Sequence, residues 1–358
     1  MLSRSARLSI RFGLGLLLVG TLAGVSALAQ APSGGPLRWT KAAPFPEPEE
    51  ELYAVTVNNK MYVIGGFGYM PFGNPPGLVY EYDPGPDKWT KKKNLPARVH
   101  HQAQAVFNNK IYIFGGCKMG IFGTDAVTNV WEYDPAADNY RAMAPIPGPR
   151  CSAVAATVNG KIYLIGGIEP FEDGKGSRIT GKNQVFDPAA NSWGPDRSPM
   201  PTTRNHAFVG VVNNKIYVIG GRQAAGMIPY SSNTDVVEEY DPATNTWGGV
   251  KQRMPTPRSG GGYATYNGRI YIGGGEWISR ELMASFRALE AYEPATDTWT
   301  VLPALPGAVH GNAMSFIGNR LHTVSGKMEN GGLPDQMSDA TKDHSVMDIP
   351  AAAAPRTN

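Results

Sequence analysis

The sequence predicts an all-β protein built from six copies of one four-stranded unit, because an apolar segment ending in two glycines recurs at a nearly constant period. Five copies are intact and a sixth, at residues 321–326, is degenerate; the intact copies are Met61–Gly66, Ile111–Gly116, Ile162–Gly167, Ile216–Gly221 and Ile270–Gly275. Successive copies are 50, 51, 54, 54 and 51 residues apart. Such a period indicates a repeat architecture, in which each unit buries its apolar faces against its neighbours.

A second motif follows each intact glycine doublet in register. An aromatic residue precedes Asp-Pro or Glu-Pro, and an outer Trp or Tyr follows; the pairs are Pro84 with Trp89, Pro135 with Tyr140, Pro188 with Trp193, Pro242 with Trp247 and Pro294 with Trp299. The acidic side chain and the fixed φ of proline favour a turn at this point. The late aromatic ring supplies a wide face for packing between sheets.

Each unit therefore predicts four antiparallel strands. The first is small and apolar, as in Ala54–Val57, and an Asn-Asn-Lys or Asn-Gly-Lys turn leads into the second. Asn and Gly tolerate the positive φ of tight hairpins. The glycine doublet ends the second strand where backbone approaches a neighbouring sheet with no Cβ in the way. The third strand ends at Asp-Pro, and the fourth carries the outer aromatic residue.

These motifs resemble the kelch repeat, a unit of about 50 residues that builds one blade of a β-propeller. The resemblance covers residues 37–350 and implies a single-domain, six-bladed kelch β-propeller with four-stranded antiparallel blades. Val346–Ile349 resembles a third strand with no Trp after it, whereas Leu37–Thr40 resembles Lys88–Thr90. We therefore expect the N-terminal strand to complete the last blade and close the ring, which removes exposed sheet edges.

The beginning of the chain predicts a secretory signal peptide over residues 1–29. A basic start with Arg4, Arg7 and Arg11 precedes an apolar run at 14–28 that is too short for a spanning helix, and small residues follow. The prediction is an exported protein, periplasmic or extracellular, with no transmembrane segment after cleavage.

The remaining chain is predicted to be a neutral monomer with a short linker at 30–36 and a flexible tail at 351–358. The formal net charge of +3 includes the three arginines of the signal, so the mature chain is close to zero. A neutral chain argues against a nucleic acid or an anionic membrane as the partner.

The candidate site is the face on which the loops after the glycine doublets and the segments leading into the next blade open together. Polar residues align at these positions and predict a mouth; the ligand-binding candidates are Glu51, His101, Arg150, Arg204, His206, Arg222, Arg258, Glu276, His310 and Lys327. Long loops on a rigid scaffold are where recognition tends to be placed.

Two residue types at this mouth allow opposite interpretations. Arginines suit an acidic ligand because a guanidinium binds a carboxylate with two hydrogen bonds. The alternative, which we favour for Arg150, Arg204 and Arg258, is that they cap loop carbonyls and form salt bridges with the adjacent blade. The histidines could bind a metal. However, His101, His206 and His310 belong to blades two, four and six, so we expect them to stand apart around the ring, and no metal or other cofactor is predicted.

The two cysteines, Cys117 and Cys151, lie on the same predicted face of adjacent blades. In an oxidising compartment such an isolated pair is a candidate disulfide. The alternative is that both thiols remain free.

Three functions fit this sequence. The first is an exported binding module that recognises a protein, peptide or glycan through its loop-rich face. The second follows from a resemblance in length, signal and repeat number to the periplasmic sialic-acid mutarotases, also kelch propellers, whose reaction needs a general acid and base; their helical insertion is not evident here, so no catalytic residue is assigned. The third, a galactose-oxidase-like copper enzyme, is disfavoured because its cross-linked Tyr–Cys copper site has no counterpart.

Overall fold

The computed structural model describes residues 36–68, 75–120, 123–224, 232–279, 282–328 and 340–350, and all regular structure in these ranges is β. The predicted signal peptide and the C-terminal tail lie outside the described residues, as does most of the linker. Strands are numbered in chain order from β1 (Trp39–Lys41), which belongs to the sixth blade. Within the described residues, no helix has the length and apolarity needed to cross a bilayer.

The predicted six-bladed propeller is confirmed: six four-stranded antiparallel sheets follow one another along the chain. Blade 1 consists of β2 (Leu52–Val57), β3 (Lys60–Gly65), β4 (Leu78–Asp83) and β5 (Lys88–Lys91). Blade 2 consists of β6 (Ala103–Phe107), β7 (Lys110–Phe114), β10 (Val130–Asp134) and β11 (Asn139–Ala142). Blade 3 consists of β12 (Val154–Val158), β13 (Lys161–Ile165), β16 (Asn183–Asp187) and β17 (Ser192–Trp193).

The second half repeats the same order. Blade 4 consists of β18 (Phe208–Val212), β19 (Lys215–Ile219), β20 (Val237–Asp241) and β21 (Thr246–Trp247). Blade 5 consists of β22 (Gly262–Tyr266), β23 (Arg269–Gly273), β26 (Leu289–Glu293) and β27 (Thr298–Val301). Blade 6 consists of β28 (Ala313–Ile317), β29 (Arg320–Val324), β30 (His344–Asp348) and β1. The third strand of blade 6 therefore begins two residues before the predicted Val346.

The outer strand of blade 6 comes from the other end of the described chain. β1 pairs antiparallel with β30, with Trp39 opposite Met347 and Lys41 opposite Ser345. The Trp39 indole N–H donates to the carbonyl of Pro303, 3.2 Å away, in the segment that leaves blade 5. Along the axis, β28 of the last blade contacts β2 of the first, so the innermost strands form a complete ring.

Every blade uses its outer aromatic residue in the same way. The Trp89 indole N–H donates to the carbonyl of Ala43 at 2.9 Å, and the Tyr140 hydroxyl donates to the carbonyl of Lys93 at 2.7 Å. Equivalent bonds join the remaining outer aromatics to the preceding blade; they run from Trp193 to Ala144, from Trp247 to Ser198 and from Trp299 to Gln252. The ring therefore buries its aromatic faces without leaving these indole N–H groups unpaired.

The glycine doublets lie where two blades touch. The Gly116 N–H donates to the carbonyl of Arg150, which leads into blade 3, at 2.9 Å. A Cβ at Gly115 would overlap that same carbonyl oxygen, and a Cβ at Gly116 would lie 2.9 Å from the carbonyl oxygen of His100 in its own blade. Both residues also have positive φ. The sequence interpretation of the doublet as a close backbone approach is therefore correct.

Among the residues that the structure describes, three of the loops after the doublets contain an additional two-stranded hairpin. These are β8–β9 (Cys117–Gly120 and Gly123–Ala126) in blade 2, β14–β15 (Ile168–Pro170 and Ser177–Ile179) in blade 3, and β24–β25 (Glu276–Ile278 and Met283–Ser285) in blade 5. Isolated backbone bridges tie the start of each hairpin to the segment leading into the same blade, as between Cys151 and Ile168. The hairpins therefore rise around the axial opening, and we call them the rim hairpins.

Candidate functional site

Six residues, one immediately before each blade, surround the axis and form what we call the axial ring. They are Glu51, His101, Ser152, His206, Gly260 and Gly311, and all six have φ between 51° and 61°. Their backbones form successive N–H to carbonyl hydrogen bonds of 2.6–3.1 Å. The donor and acceptor pairs are Ser152 to His101, His206 to Ser152, Gly260 to His206 and Gly311 to Gly260. A rigid backbone thus points six side-chain positions at one opening, the mouth.

A small cavity lies against the axial ring. Tyr53 and Tyr263 contribute to its wall, together with Ser152 and His206. A wider space of about 380 Å³ lies along the axis, walled mainly by small side chains of all six innermost strands, and Tyr263 borders both spaces. The mouth is therefore polar, whereas the axial channel carries few groups that could recognise a ligand by charge.

Glu51 is the carboxylate at the centre of the mouth. Its Oε2 lies 3.2 Å from Nε2 of His101 and accepts a hydrogen bond of 3.1 Å from the Tyr53 hydroxyl. Burial acts to raise the pKa of Glu51, but the charge and hydrogen bond of His101 outweigh it and leave that pKa below its ordinary value. Glu51 is therefore an ionised acceptor at neutral pH.

His101 is held from behind by a second histidine. The two Nδ1 atoms of His100 and His101 are hydrogen-bonded to each other, and the ring of Phe67 packs at a tilt against His100 with a centroid distance of 4.7 Å. Burial, reinforced by the neighbouring His101, lowers the pKa of His100 to about 2. His100 is therefore a neutral support that fixes the orientation of the His101 ring.

His206 joins the mouth to a buried ion pair. Its Nδ1 is hydrogen-bonded to Oδ1 of Asn205, and its Nε2 accepts a 2.9 Å hydrogen bond from Arg222 Nη2. Arg222 also donates from Nη1 to Glu276 Oε1 at 2.7 Å. Burial and the positive charge of Arg222 lower the pKa of His206 well below its ordinary value. His206 is therefore a neutral imidazole whose Nε2 carries the lone pair.

His310 has the opposite charge state. Its Nε2 lies 2.9 Å from Glu50 Oε2 and 3.9 Å from Glu276 Oε2, while its Nδ1 lies 3.1 Å from the Ser285 hydroxyl. Burial acts to lower its pKa, but the hydrogen bond to Glu50 and the charges of Glu276 and Glu50 raise it to about 9. The mouth thus contains a protonated histidine and a neutral one.

The histidine arrangement corrects the sequence prediction. The rings of His101 and His206, from blades two and four, are in contact with a centroid distance of 4.6 Å, although we expected them to stand apart. Blade 3 contributes only the small Ser152 between them, so the two larger side chains meet. His310 pairs instead with carboxylates on the side of blades five and one. Donor atoms of Glu51, His101 and His206 all lie within 4.8 Å of one another.

The three aligned arginines do not belong to the mouth. Arg150, Arg204 and Arg258 are completely buried, and each folds back into its own blade. Arg204 donates to Glu238 and to the carbonyl of Val218, whereas Arg258 donates to Glu290 and to the carbonyls of Gly274, Thr256 and Ile272. Arg150 donates to the carbonyl of Gly166 and to Gln184. These three candidates are therefore structural, and they pair within the blade that they precede, not with the adjacent blade.

The remaining candidates lie where the loops meet the axial ring. Arg222 and Glu276 directly follow a glycine doublet, and Lys327 follows Gly326 of the degenerate copy. All three are buried, with their backbones bridged to Asn205, Ser259 and His310 respectively. Cys117 and Cys151 are joined in a disulfide, with Cα atoms 5.5 Å apart, that links the blade 2 hairpin to the lead-in of blade 3.

Several polar residues of the site were not among the sequence candidates. Tyr53, Tyr263, Asn205, Asn233 and Ser285 are examples: Asn233 Nδ2 donates to the Glu276 carbonyl at 2.5 Å. Glu49 has a pKa that burial raises to about 6. Glu49 occupies the aligned position of Arg150, and Asn205 occupies that of His310, so considering these two positions in every blade is the signal that could have selected them.

The family comparison agrees with the repeat. A family model described as the KLHDC2/KLHL20/DRC7 Kelch-repeats domain matches residues 141–326. The Kelch motif matches residues 54–96 and 102–147. Together these matches span blades 1 to 5 and the first two strands of blade 6.

Individual relatives are similar over part of their length. The chain is 33% identical over 184 residues to Kelch-like protein terF of Aspergillus terreus, covering 50% of this chain and 39% of that protein. It is 29% identical over 197 residues to human Kelch repeat and BTB domain-containing protein 12, covering 52% of this chain and 31% of the relative. The chain thus spans less than half the length of these curated relatives.

A solved structure, described as the structure of YjhT, superposes with a TM-score of 0.70 at 18% identity, covering 87% of this chain and 98% of that one. At this level of identity the likeness is one of fold.

Proposed function

The chain belongs to the kelch-repeat β-propeller family, and we propose that it is a binding module whose loop-rich face recognises a protein or peptide partner. The observation that carries the proposal is a set of exposed apolar side chains on the loops around the mouth. Three apolar side chains there are exposed: Phe171 between β14 and β15 by 42%, Leu282 before β25 by 54%, and Met328 after Gly326 by 52%. They are apolar side chains on three loops that surround one polar opening.

This combination has the composition of a recognition surface. Protein interfaces place apolar and aromatic contacts beside a few oriented polar groups. At the mouth, Glu51, Arg222 and His310 offer charged groups that are already fixed by neighbours, so a partner would not have to immobilise them. Relatives named for kelch repeats supply the family context. That the partner is a protein or a peptide is part of this proposal.

The test is a capture experiment with two matched sets of variants. The rim variant F171S/L282S/M328S removes the three apolar tips, and the control V250S/V301S removes two exposed valines of the segments outside the rim. We expect the full chain and the control to retain the same partner from a cell-envelope extract, and the rim variant to lose it. Equal capture by the rim variant, or loss in the control, would contradict the proposal.

A second candidate function, a sugar mutarotase, is favoured by the acid and base at the mouth. Glu51 has a lowered pKa and His310 a pKa of about 9, so a carboxylate acceptor and an imidazolium donor face one opening. Mutarotation requires removal of a proton from the anomeric hydroxyl and delivery of one to the ring oxygen. Arg222 would attract a sugar acid, since guanidinium groups bind carboxylates.

Proton NMR of freshly dissolved N-acetylneuraminic acid tests this activity. Catalysis by the full chain should speed the interconversion of anomers, and E51Q or H310N should each slow it by roughly 10²-fold or more. The control H344N alters a buried histidine outside the mouth and should leave the rate unchanged. An uncatalysed rate with the wild-type chain rules out this candidate while leaving the binding module intact.

We also propose that the protein works outside the cytoplasm. The apolar segment at 14–28 and the Cys117–Cys151 disulfide support this location, because disulfides persist in oxidising compartments. Fractionation of the producing cells, with alkylation of free thiols before lysis, tests it. The proposal expects an exported chain that alkylates only after reduction; a cytoplasmic chain with reactive thiols would contradict it.

A further inference from the structure

Three side chains from three blades converge at the mouth with donor atoms suited to a metal ion. Glu51, His101 and His206 are all buried, and their donor atoms lie within 4.8 Å of one another. The Glu51 Oε2 to His101 Nε2 distance of 3.2 Å is close to the roughly 3.4 Å expected between two donors that each lie about 2.1 Å from one tetrahedral ion. A small inward movement of His206 would complete the set.

The backbone at these positions provides an independent observation. Glu51, His101 and His206 have φ values of 56°, 56° and 51°, in the left-handed region that costs a residue with a Cβ about 1–2 kcal/mol. The equivalent positions of blades 5 and 6 carry Gly260 and Gly311, which adopt this conformation without that cost. Strained residues retained where glycine fits point to a function for their side chains.

Hydrogen bonds behind the three donors orient them in the manner of metal sites. Asn205 Oδ1 accepts from Nδ1 of His206, His100 is bonded to Nδ1 of His101, and the Tyr53 hydroxyl donates to Glu51. Ligating histidines usually bond through their second ring nitrogen in this way, which fixes the ring and directs the free lone pair. In His101 it is Nε2 that faces the common centre, where its N–H donates to Glu51; this proton is released when an ion binds.

We propose that Glu51, His101 and His206 form a two-histidine, one-carboxylate site for a divalent transition metal ion such as Zn²⁺. Three protein ligands leave a fourth position, which the cavity lined by Ser152, Tyr263 and Gly260 makes reachable. Nitrogen and oxygen donors of this kind suit Zn²⁺, Fe²⁺ and Cu²⁺ and not Mg²⁺ or Ca²⁺.

Arg222 is the neighbouring positive charge with which the ion would have to coexist. Its Nη2 donates to His206 Nε2, so binding replaces that hydrogen bond by a metal–nitrogen bond. Arg222 keeps its bonds to Glu276 at 2.7 Å and to Asn205 at 3.3 Å, and Glu276 offsets its charge. The metal site does not depend on which partner or substrate the mouth accepts, and its failure would leave the proposed binding function untouched.

Equilibrium dialysis of the purified, chelator-stripped full chain against Zn²⁺ tests the site. We expect one ion per chain, and at least about 100-fold weaker binding in H101N and in H206N, since each removes a ligand. Asn tolerates the left-handed backbone at both positions. H344N, which removes a buried histidine away from the mouth, should bind as the wild type does.

Co²⁺ substitution and X-ray absorption keep the test independent of the variants' folding. The wild-type chain should give visible Co²⁺ absorption bands, and a Zn²⁺ absorption edge whose shell contains two imidazoles and no sulfur. Absence of stoichiometric Zn²⁺ binding by the wild-type chain, unchanged affinity in both H101N and H206N, or a shell without imidazole would overturn the proposal.

Discussion

Glu51 Oε2 lies 3.2 Å from His101 Nε2, although the two residues are 50 positions apart and precede different blades. The distance follows from the repeat, because both residues occupy the same position of the axial ring and share the same left-handed backbone. The left-handed conformation repeated around the axial ring therefore sets the geometry of the mouth and also lowers the stability of the fold.

That cost is measurable at Ser152. Its φ of 52° is unfavourable for serine, and no side-chain hydrogen bond of Ser152 is among those of the described residues. We expect S152G to be neutral or to raise the free energy of unfolding by up to about 1 kcal/mol. Urea unfolding followed by circular dichroism measures the change.

The equivalent position of blade 6 provides the opposite control. A Cβ at Gly311 would overlap the backbone nitrogen of Glu51, so G311A should destabilise by clearly more than the strain of a left-handed residue alone. Similar stabilities for G311A and S152G would show that the six ring positions are not constrained as described.

The glycine doublets give a second prediction, about contact between blades. In G115A the new Cβ overlaps the carbonyl oxygen of Arg150, so we expect a loss of several kcal/mol and a broadened unfolding transition. G268A serves as the control, since Gly268 has φ of 73° but no atom within 4 Å of its Cβ position. It should lose only about 1 kcal/mol from backbone strain. Equal losses in the two variants would argue against a tight approach at the doublet.

The scaffold could be predicted from the sequence because every blade repeats the same physical solution. The turn at Asn58–Asn59 has positive φ at both residues, as the Asn-Asn-Lys pattern predicts, and Trp39 takes the place of Trp89 in blade 6. The rim hairpins could not be predicted, because their strands of three or four residues lack apolar alternation and vary between blades.

The third prediction concerns the buried arginines. Arg258 Nη1 lies 2.5 Å from Glu290 Oε2, and both side chains are buried. R258M would leave the Glu290 carboxylate buried without its partner, which typically costs 3–5 kcal/mol, that is, about 4 kcal/mol here. The double variant R258M/E290M should recover a large part of the loss. Thermal unfolding of the three chains checks this; a double variant no more stable than R258M contradicts the interpretation.

The site was only partly predictable for reasons visible in these residues. Alignment to the repeat located the axial ring correctly, since backbone position follows register. It could not show that Arg150 turns into its own blade, because that depends on hydrogen bonds to the carbonyl of Gly166 and to the side chain of Gln184. It also could not show that His101 and His206 touch, which depends on the small volume of Ser152.

The fourth prediction is a loss of stability in mild acid. His322 Nδ1 and His344 Nε2 are 2.9 Å apart, and His344 Nδ1 donates to the Ala43 carbonyl at 3.0 Å. Burial lowers the pKa of His322 to about 3 and that of His344 to about 4. Because the folded pKa values lie below the unfolded value of about 6.5, the unfolded chain binds the extra protons as pH falls.

Stability from this pair is therefore fully present above about pH 6.5. As pH falls, the contribution of His344 is lost down to about pH 4 and that of His322 down to about pH 3, at roughly 1.4 kcal/mol per pH unit for each group. Between pH 7.5 and 5, the free energy of unfolding should depend less on pH for H344N than for the wild type. The difference between the two free energies should therefore narrow in acid, and urea unfolding measures both. Parallel plots of the free energy of unfolding against pH would contradict this prediction, because they would mean that the pKa of His344 is the same in the folded and the unfolded chain.

The most direct test of the functional surface is hydrogen exchange of the full chain with and without its captured partner. The account predicts slower amide exchange in the rim hairpins at 117–126, 168–179 and 276–285 and in the lead-in residues around Glu51 and His206. Exchange at the turns on the opposite end, such as Asn58–Asn59 and Asn213–Asn214, should not change. Protection of those turns, with the rim unaffected, would contradict the assignment of the loop-rich face as the binding surface.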